Sequence, residues 1–162
     1  KLNSSEMETL YAAHDIFVLP TYRDSFGLVL IEAISYGMPI ICTDQFATTE
    51  VAIHEYNAFV YPNHPLKDYN PNTFEILGKY RNPKIFYANL FRLQAKGDLR
   101  PVENFLHTSI EKFIVDPKLV ETFSSNSLAL YHTTFHQDII SKKIEGTFLA
   151  ALGINENHHL QQ

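Results

Sequence analysis

An α/β fold, with a parallel sheet between two layers of helices, is predicted for the first 63 residues by three observations. Short continuous apolar runs recur as "DIFVL" (15–19), "PIICT" (39–43) and "AFVY" (58–61). Such runs are the pattern of strands buried on both faces. Helical stretches fall between them, at the spacing of right-handed βαβ units in a parallel sheet. After Pro62 the alternation stops, and apolar residues later recur at helical spacing toward the C-terminus.

The elements follow in order. Residues 4–13 read as a helix, with Ser5 and Glu8 at capping-box spacing and Met7, Leu10 and Tyr11 as its apolar stripe. Pro20 closes the first strand. A loop over 20–27 leads into a helix over 28–36, which Gly37 stops and Pro39 keeps from continuing. "TTEVAIHE" (48–55) reads as a short helix between the second and third strands. Residues 64–100 break the pattern and carry many aromatics, with basic residues outnumbering acidic ones. Beyond them, Val102, Phe105, Leu106, Ile110, Phe113 and Ile114 mark a helix, and Asp116-Pro117 cap and open the next. A third helix is expected near 138–152, followed by a polar tail over 153–162. The division is thus a core over 1–63, an insertion over 64–100, terminal helices over 101–152 and the tail.

Composition narrows the function classes. The chain has 162 residues and is 45% hydrophobic and 19% charged, as a globular domain is. Its net charge of −5 argues against a general nucleic-acid surface, though not against a small anionic ligand. No run approaches the ~20 apolar residues of a membrane span. Cys42, the single cysteine, reads as a buried reduced thiol of a cytosolic protein. The chain opens on Lys1 rather than methionine, the expectation being a piece of something longer.

The chemistry concentrates in "LPTYRDSFGLVLIEAISY" (19–36). In a doubly wound sheet, ligands sit outside the carboxyl ends of the strands, where loops feed helix N-termini. The helix after Gly27 offers unbonded N–H groups and a favourable dipole to an anion such as phosphate. Within that helix Glu32 stands among Leu28, Val29, Leu30, Ile31, Ala33 and Ile34, so a core-sandwiched helix is expected. An ionised carboxylate there needs hydrogen-bond donors. Either it reaches solvent or a local base, or its donors are hydroxyls of a ligand held one turn away.

These residues resemble a known family. "HDIFVLPTYRDSFGLVLIEAISYGMPIICTD" with Glu50-Val51 is similar to the donor-binding core of the retaining glycosyltransferases of family 4, across residues 5–62. Their signature is E-x-F-G-x-x-x-x-E, matched here by Asp24-Ser25-Phe26-Gly27 and Glu32. The resemblance implies the C-terminal half of a GT-B fold, a truncated Rossmann-like sheet ending in several helices. It further implies a nucleotide diphosphate sugar as donor, UDP-, GDP- or ADP-linked, and no metal or other cofactor. Glu32 would bond the ribose hydroxyls, and backbone N–H groups of Gly27 and Leu28, beside Ser25 and Phe26, would hold the diphosphate. Asp24 would contact the donor sugar as the candidate catalytic residue. The acceptor would be a carbohydrate or a lipid-linked sugar, held by an acceptor domain upstream of residue 1. The family's diphosphate-binding Arg and Lys also lie upstream, so this stretch alone is expected to be inactive. Arg23 is either a local substitute for them or a solvated loop residue.

Three departures stand out. The first acid is Asp, shorter than Glu by about one C–C bond of ~1.5 Å. The family's glycine-rich loop reads "QFATTE" here, bulkier at Phe46, Ala47 and Thr48. The insertion at 64–100 is the third. It either packs on the rest of the protein or contacts an anionic surface such as a membrane carrying the acceptor, which would make a cytoplasmic protein peripheral to it. The eight histidines form no ligand set by spacing, His132 and His136 alone sharing an i, i+4 face. Two rival readings remain: a non-catalytic domain that binds a nucleotide sugar or a partner chain, and another GT-B activity such as a sugar-nucleotide epimerase.

Overall fold

A computed structural model describes residues 2–22, 24, 26–62, 64–67, 69, 70, 72, 73, 75, 77, 78 and 82–154. The first α-helix, α1 (Ser4–Ala13), leads to strand β1 (Phe17–Leu19), helix α2 (Leu28–Ser35) and strand β2 (Ile40–Thr43). Then come the short helix α3 (Thr48–Val51) and strand β3 (Ala58–Tyr61). Helices α4 (Pro83–Lys96), α5 (Arg100–Val115), α6 (Pro117–Leu130) and α7 (Gln137–Ala151) complete the chain, with a π-helical turn, Tyr131–Phe135, between the last two.

The predicted α/β class holds. The three strands pair in parallel in the order β1-β2-β3, with Phe17 opposite Ile40 and Ile41 opposite Phe59. Alternating side chains serve the two faces, as the pleat requires. Ile40, Cys42, Ala58 and Val60 pack with Leu30 and Ile34 of α2 and Val51 of α3, and Tyr131 and Phe135 of the π turn close over them. On the other face Ile41 and Phe59 meet Phe113 of α5 and Phe123 of α6. Tyr11 of α1 packs separately with Ala33 and Met38. Among the described residues no helix is long and apolar enough to cross a membrane.

Several local readings change. The capping box on α1 belongs to Asn3 and Glu6, not Ser5 and Glu8: Glu6 N–H donates to Asn3 Oδ1, and Asn3 N–H to Glu6 Oε2. Ser5 lies inside the helix, and its carbonyl accepts from the Thr9 hydroxyl. β1 was expected to be buried on both faces, yet it is the sheet edge and Val18 is 40% exposed. The helix expected over 48–55 stops at Val51, because the Asn57 side chain takes the Ile53 N–H and sends its amide to the Val51 carbonyl. Glu55 then turns through a positive φ of 59°.

The C-terminal layer is latched to the first half by polar contacts as well as rings. α2 ends in a Schellman motif, with Gly37 N–H on the Ile34 carbonyl and Met38 N–H on the Ala33 carbonyl. Gly37 holds φ +71°, and a Cβ there would sit 3.0 Å from Ser124 Oγ of α6. The same helix sends Ser127 Oγ to the Met38 carbonyl, 2.9 Å away. A side chain at Gly37 would be strained by φ and would press on Ser124 and Leu128 of α6.

Candidate functional site

Three loops that leave the carboxyl ends of the strands converge at one edge of the sheet. The Thr43 hydroxyl, at the end of β2, donates to the Thr21 carbonyl in the loop after β1. Thr48 Oγ1 bridges the next loop, donating to the Thr43 carbonyl and accepting from Gln45 N–H. The Tyr22 ring stands edge-on to His64, which follows β3, with centroids 4.5 Å apart. This is the ligand end of an open α/β sheet.

Here Asp24 and Gly27 come together. Gly27 is buried, caps α2 in the left-handed region at φ 72°, and donates its N–H to Asp24 Oδ1 at 2.8 Å. Phe26 N–H donates to the same oxygen at 3.2 Å. A Cβ on Gly27 would crowd Leu30 Cδ1 at 3.2 Å, and the positive φ strains any residue with a side chain there. The Asp24 carboxylate thus sits against the N-terminus of α2, where an anion is favoured. In the first turn of α2 Leu30 N–H bonds to the Gly27 carbonyl at 2.8 Å, which leaves the Leu28 and Val29 N–H groups without a helical partner. Arg23 and Ser25 lie outside the described residues.

Glu32 lies elsewhere than the core. Leu28, Glu32 and Tyr36 follow one another at four-residue spacing on the exposed side of α2, and Leu28 is 67% exposed. Helix α2 therefore has one open face, and no buried carboxylate has to be satisfied. Glu32 Oε2 accepts a hydrogen bond from the Tyr11 hydroxyl at 2.8 Å. Burial, with that hydrogen bond second, pushes the Tyr11 hydroxyl up to about 12, so it stays a donor. A cleft of about 350 Å³ opens alongside, lined in part by Met7, Tyr11, Glu32, Ser35 and Tyr36. Tyr11 came from the sequence only as an apolar stripe residue, and an i to i+21 partner leaves no periodic signal.

The "QFATTE" loop keeps a glycine-like backbone without the glycine. Phe46 holds φ 52°, a conformation that costs a residue with a Cβ roughly 1–2 kcal/mol. Its ring packs edge-on against Tyr69, with centroids 5.6 Å apart. Asp44, just after β2, is paired: Lys67 Nζ lies 2.6 Å from Oδ2 and the Tyr69 hydroxyl donates to Oδ1 at 2.7 Å.

Among the described residues, two buried polar atoms at this edge have no hydrogen-bond partner, Gln45 Nε2 and His64 Nε2. His64 Nδ1 accepts from Leu66 N–H, so the neutral ring carries its proton on Nε2. Burial, with the Lys67 charge second, lowers the imidazole from 6.5 to about 4. Because the folded pKa is depressed, the unfolded chain binds the extra proton between those values. Stability should therefore fall as pH drops from about 6.5 toward 4, and His64→Gln should flatten that dependence in urea titrations. Burial, then Asp44, pushes the Cys42 thiol up to about 12, which leaves it unreactive in the folded chain. Among the described residues no three His, Cys, Asp or Glu side chains gather into a group that could hold a metal ion.

The class of protein to which this edge is similar is given by a family comparison: residues 1–71 match the glycosyl transferases group 1 model. The match covers the sheet, α1 to α3 and the converging loops. Among particular relatives, an uncharacterized glycosyltransferase of Methanocaldococcus jannaschii is 32% identical over 65 residues, 40% of this chain and 17% of its own length. The O-antigen chain mannosyltransferase B of Escherichia coli is 39% identical over 46 residues, 28% of this chain and 12% of that one. A D-inositol 3-phosphate glycosyltransferase of Streptomyces bingchenggensis is 33% identical over 64 residues, 40% of this chain and 14% of its own. The chain spans less than a fifth of the length of the curated relatives it matches.

Proposed function

We propose that this chain is the donor-binding part of a retaining, family 4-type glycosyltransferase that takes its sugar from a nucleotide diphosphate. One observation carries the reading: Asp24 sits at the N-terminus of α2 and Glu32 one turn inside the helix, at the family's spacing and within the matched residues. In this reading the diphosphate lies on the backbone N–H groups of Gly27 and Leu28. Asp24 lets go of Gly27 N–H as the donor arrives and turns to the sugar hydroxyls, as the catalytic contact. Glu32, outward-facing and already oriented by Tyr11, takes the ribose. The acceptor is a carbohydrate or a lipid-linked sugar, the acceptor domain lies elsewhere in a longer cytoplasmic protein, and this stretch alone turns nothing over.

A second reading has its own observation. Asp24 is spent on holding Phe26 and Gly27, which suits a domain that binds a nucleotide sugar or a partner without catalysis. Calorimetry of the full-length protein against UDP-, GDP- and ADP-sugars tests binding, and the anomeric configuration of the product by NMR tests retention. Binding without turnover selects the second reading. No binding to any of the three removes both.

A further inference from the structure

We propose that the outward face of α4 lies on an anionic lipid surface. The insertion that breaks the strand pattern contains this helix, opened by Asn82, whose side chain caps Lys84 N–H, and by Pro83 at its first turn. Phe86, Asn89, Leu90 and Leu93 are half-buried and share one face at 3.6 residues per turn. Phe86 packs edge-on against Tyr22, with centroids 6.4 Å apart, which places the inner face beside the converging loops.

The outer face is of a different kind. Ile85, Tyr87 and Phe91 are 50%, 55% and 63% exposed, and the Tyr87 and Phe91 rings stack on each other in the open. Every charged residue of the helix is basic: Lys84, Arg92 and Lys96, all exposed. No acid occurs from Pro83 to Gly97, in a chain whose 18 acids outnumber its 13 bases. Large exposed apolar side chains on a helix whose charges are all positive complement a surface that is apolar beneath and negative above, as anionic lipid is. The exposed apolar stripe of α7, Ile140, Ile144 and Phe148, lies on a helix that carries Asp138 and Glu145 beside Lys142 and Lys143 and has no such bias.

The chain has no tryptophan, so Phe91→Trp supplies a single reporter. The 162-residue chain is expected to sediment with vesicles of phosphatidylcholine containing phosphatidylglycerol, and not with phosphatidylcholine alone. The Phe91→Trp emission should shift to the blue only with the anionic vesicles, while Phe148→Trp on α7 should not shift. The triple variant Lys84→Glu, Arg92→Glu and Lys96→Glu should lose about 100-fold in partitioning, with its circular dichroism unchanged. No sedimentation, equal sedimentation with neutral lipid, or a blue shift that grows with protein concentration without lipid would each overturn the proposal, the last indicating a second copy on this face. No sugar nucleotide is present in the test, so its outcome is independent of the donor-site reading.

Discussion

Glu32→Gln in the full-length protein should lower kcat/KM for sugar transfer by about 10- to 100-fold, and Asp24→Ala should abolish transfer, with both variants folded. A carboxylate that accepts from hydroxyls contributes roughly 1.5–3 kcal/mol per charge-assisted hydrogen bond, and an amide keeps only part of that. Glu32 also accepts from Tyr11, so loss of that contact is the competing explanation. Tyr11→Phe separates the two. It removes the hydroxyl and should cost about 1 kcal/mol of stability, yet it leaves the carboxylate free to meet a ligand. Transfer should then fall far less than in Glu32→Gln. Equal losses in the two variants would make Glu32 an anchor for α1, and wild-type rates in both acid variants would dismiss the site. Initial rates at saturating and limiting donor provide the measurement.

The second large effect lies in the core. Phe59 of β3 sits between Phe113 of α5 and Phe123 of α6, with ring centroids at 5.1 and 5.2 Å, and Lys112 Nζ lies 4.7 Å above its ring. Phe59→Ala should destabilise the chain by about 3–5 kcal/mol, the usual cost of removing a buried ring. Small domains are stable by only roughly 5–15 kcal/mol, so the terminal helices would be close to coming off the sheet. Ile114→Ala, on a side chain 71% exposed, should stay within about 0.5 kcal/mol. Urea unfolding followed by circular dichroism compares the two. Similar losses would mean that α5 and α6 are not held through this face.

The fold was legible where local chemistry and burial agree. "AFVY" is a strand with the expected bounds, and Asp116-Pro117 both caps and opens α6 as read. Asn82-Pro83 opens α4 by the same chemistry, yet that helix was not anticipated. Its inner face is only half-buried, and the apolar residues left outside, Ile85, Tyr87 and Phe91, obscure the period of that face. The cap was the readable signal, more dependable here than hydrophobic periodicity. The candidate site divides in the same way. Asp24, Phe26, Gly27 and Glu32 belong to one contiguous motif and were picked out together. Gln45, His64 and Tyr22 come from loops after three different strands, and only the parallel register brings them to one edge.

By itself, then, the sequence determined the α/β alternation, the turn at Gly27 and the eight-residue spacing of the two acids, because each is set by neighbours within about two helical turns. The tertiary structure decided which way those residues face. It made β1 an edge, turned Glu32 outward toward Tyr11, spent Asp24 on the Phe26 and Gly27 N–H groups, and paired Asp44 with Lys67. An apolar run specifies that a helix is buried somewhere, but which of its faces stays open depends on the partners packed against it. Of those partners β2 and α3 follow α2 closely, but the π turn comes from the far C-terminal part of the chain, where no local pattern announces the contact.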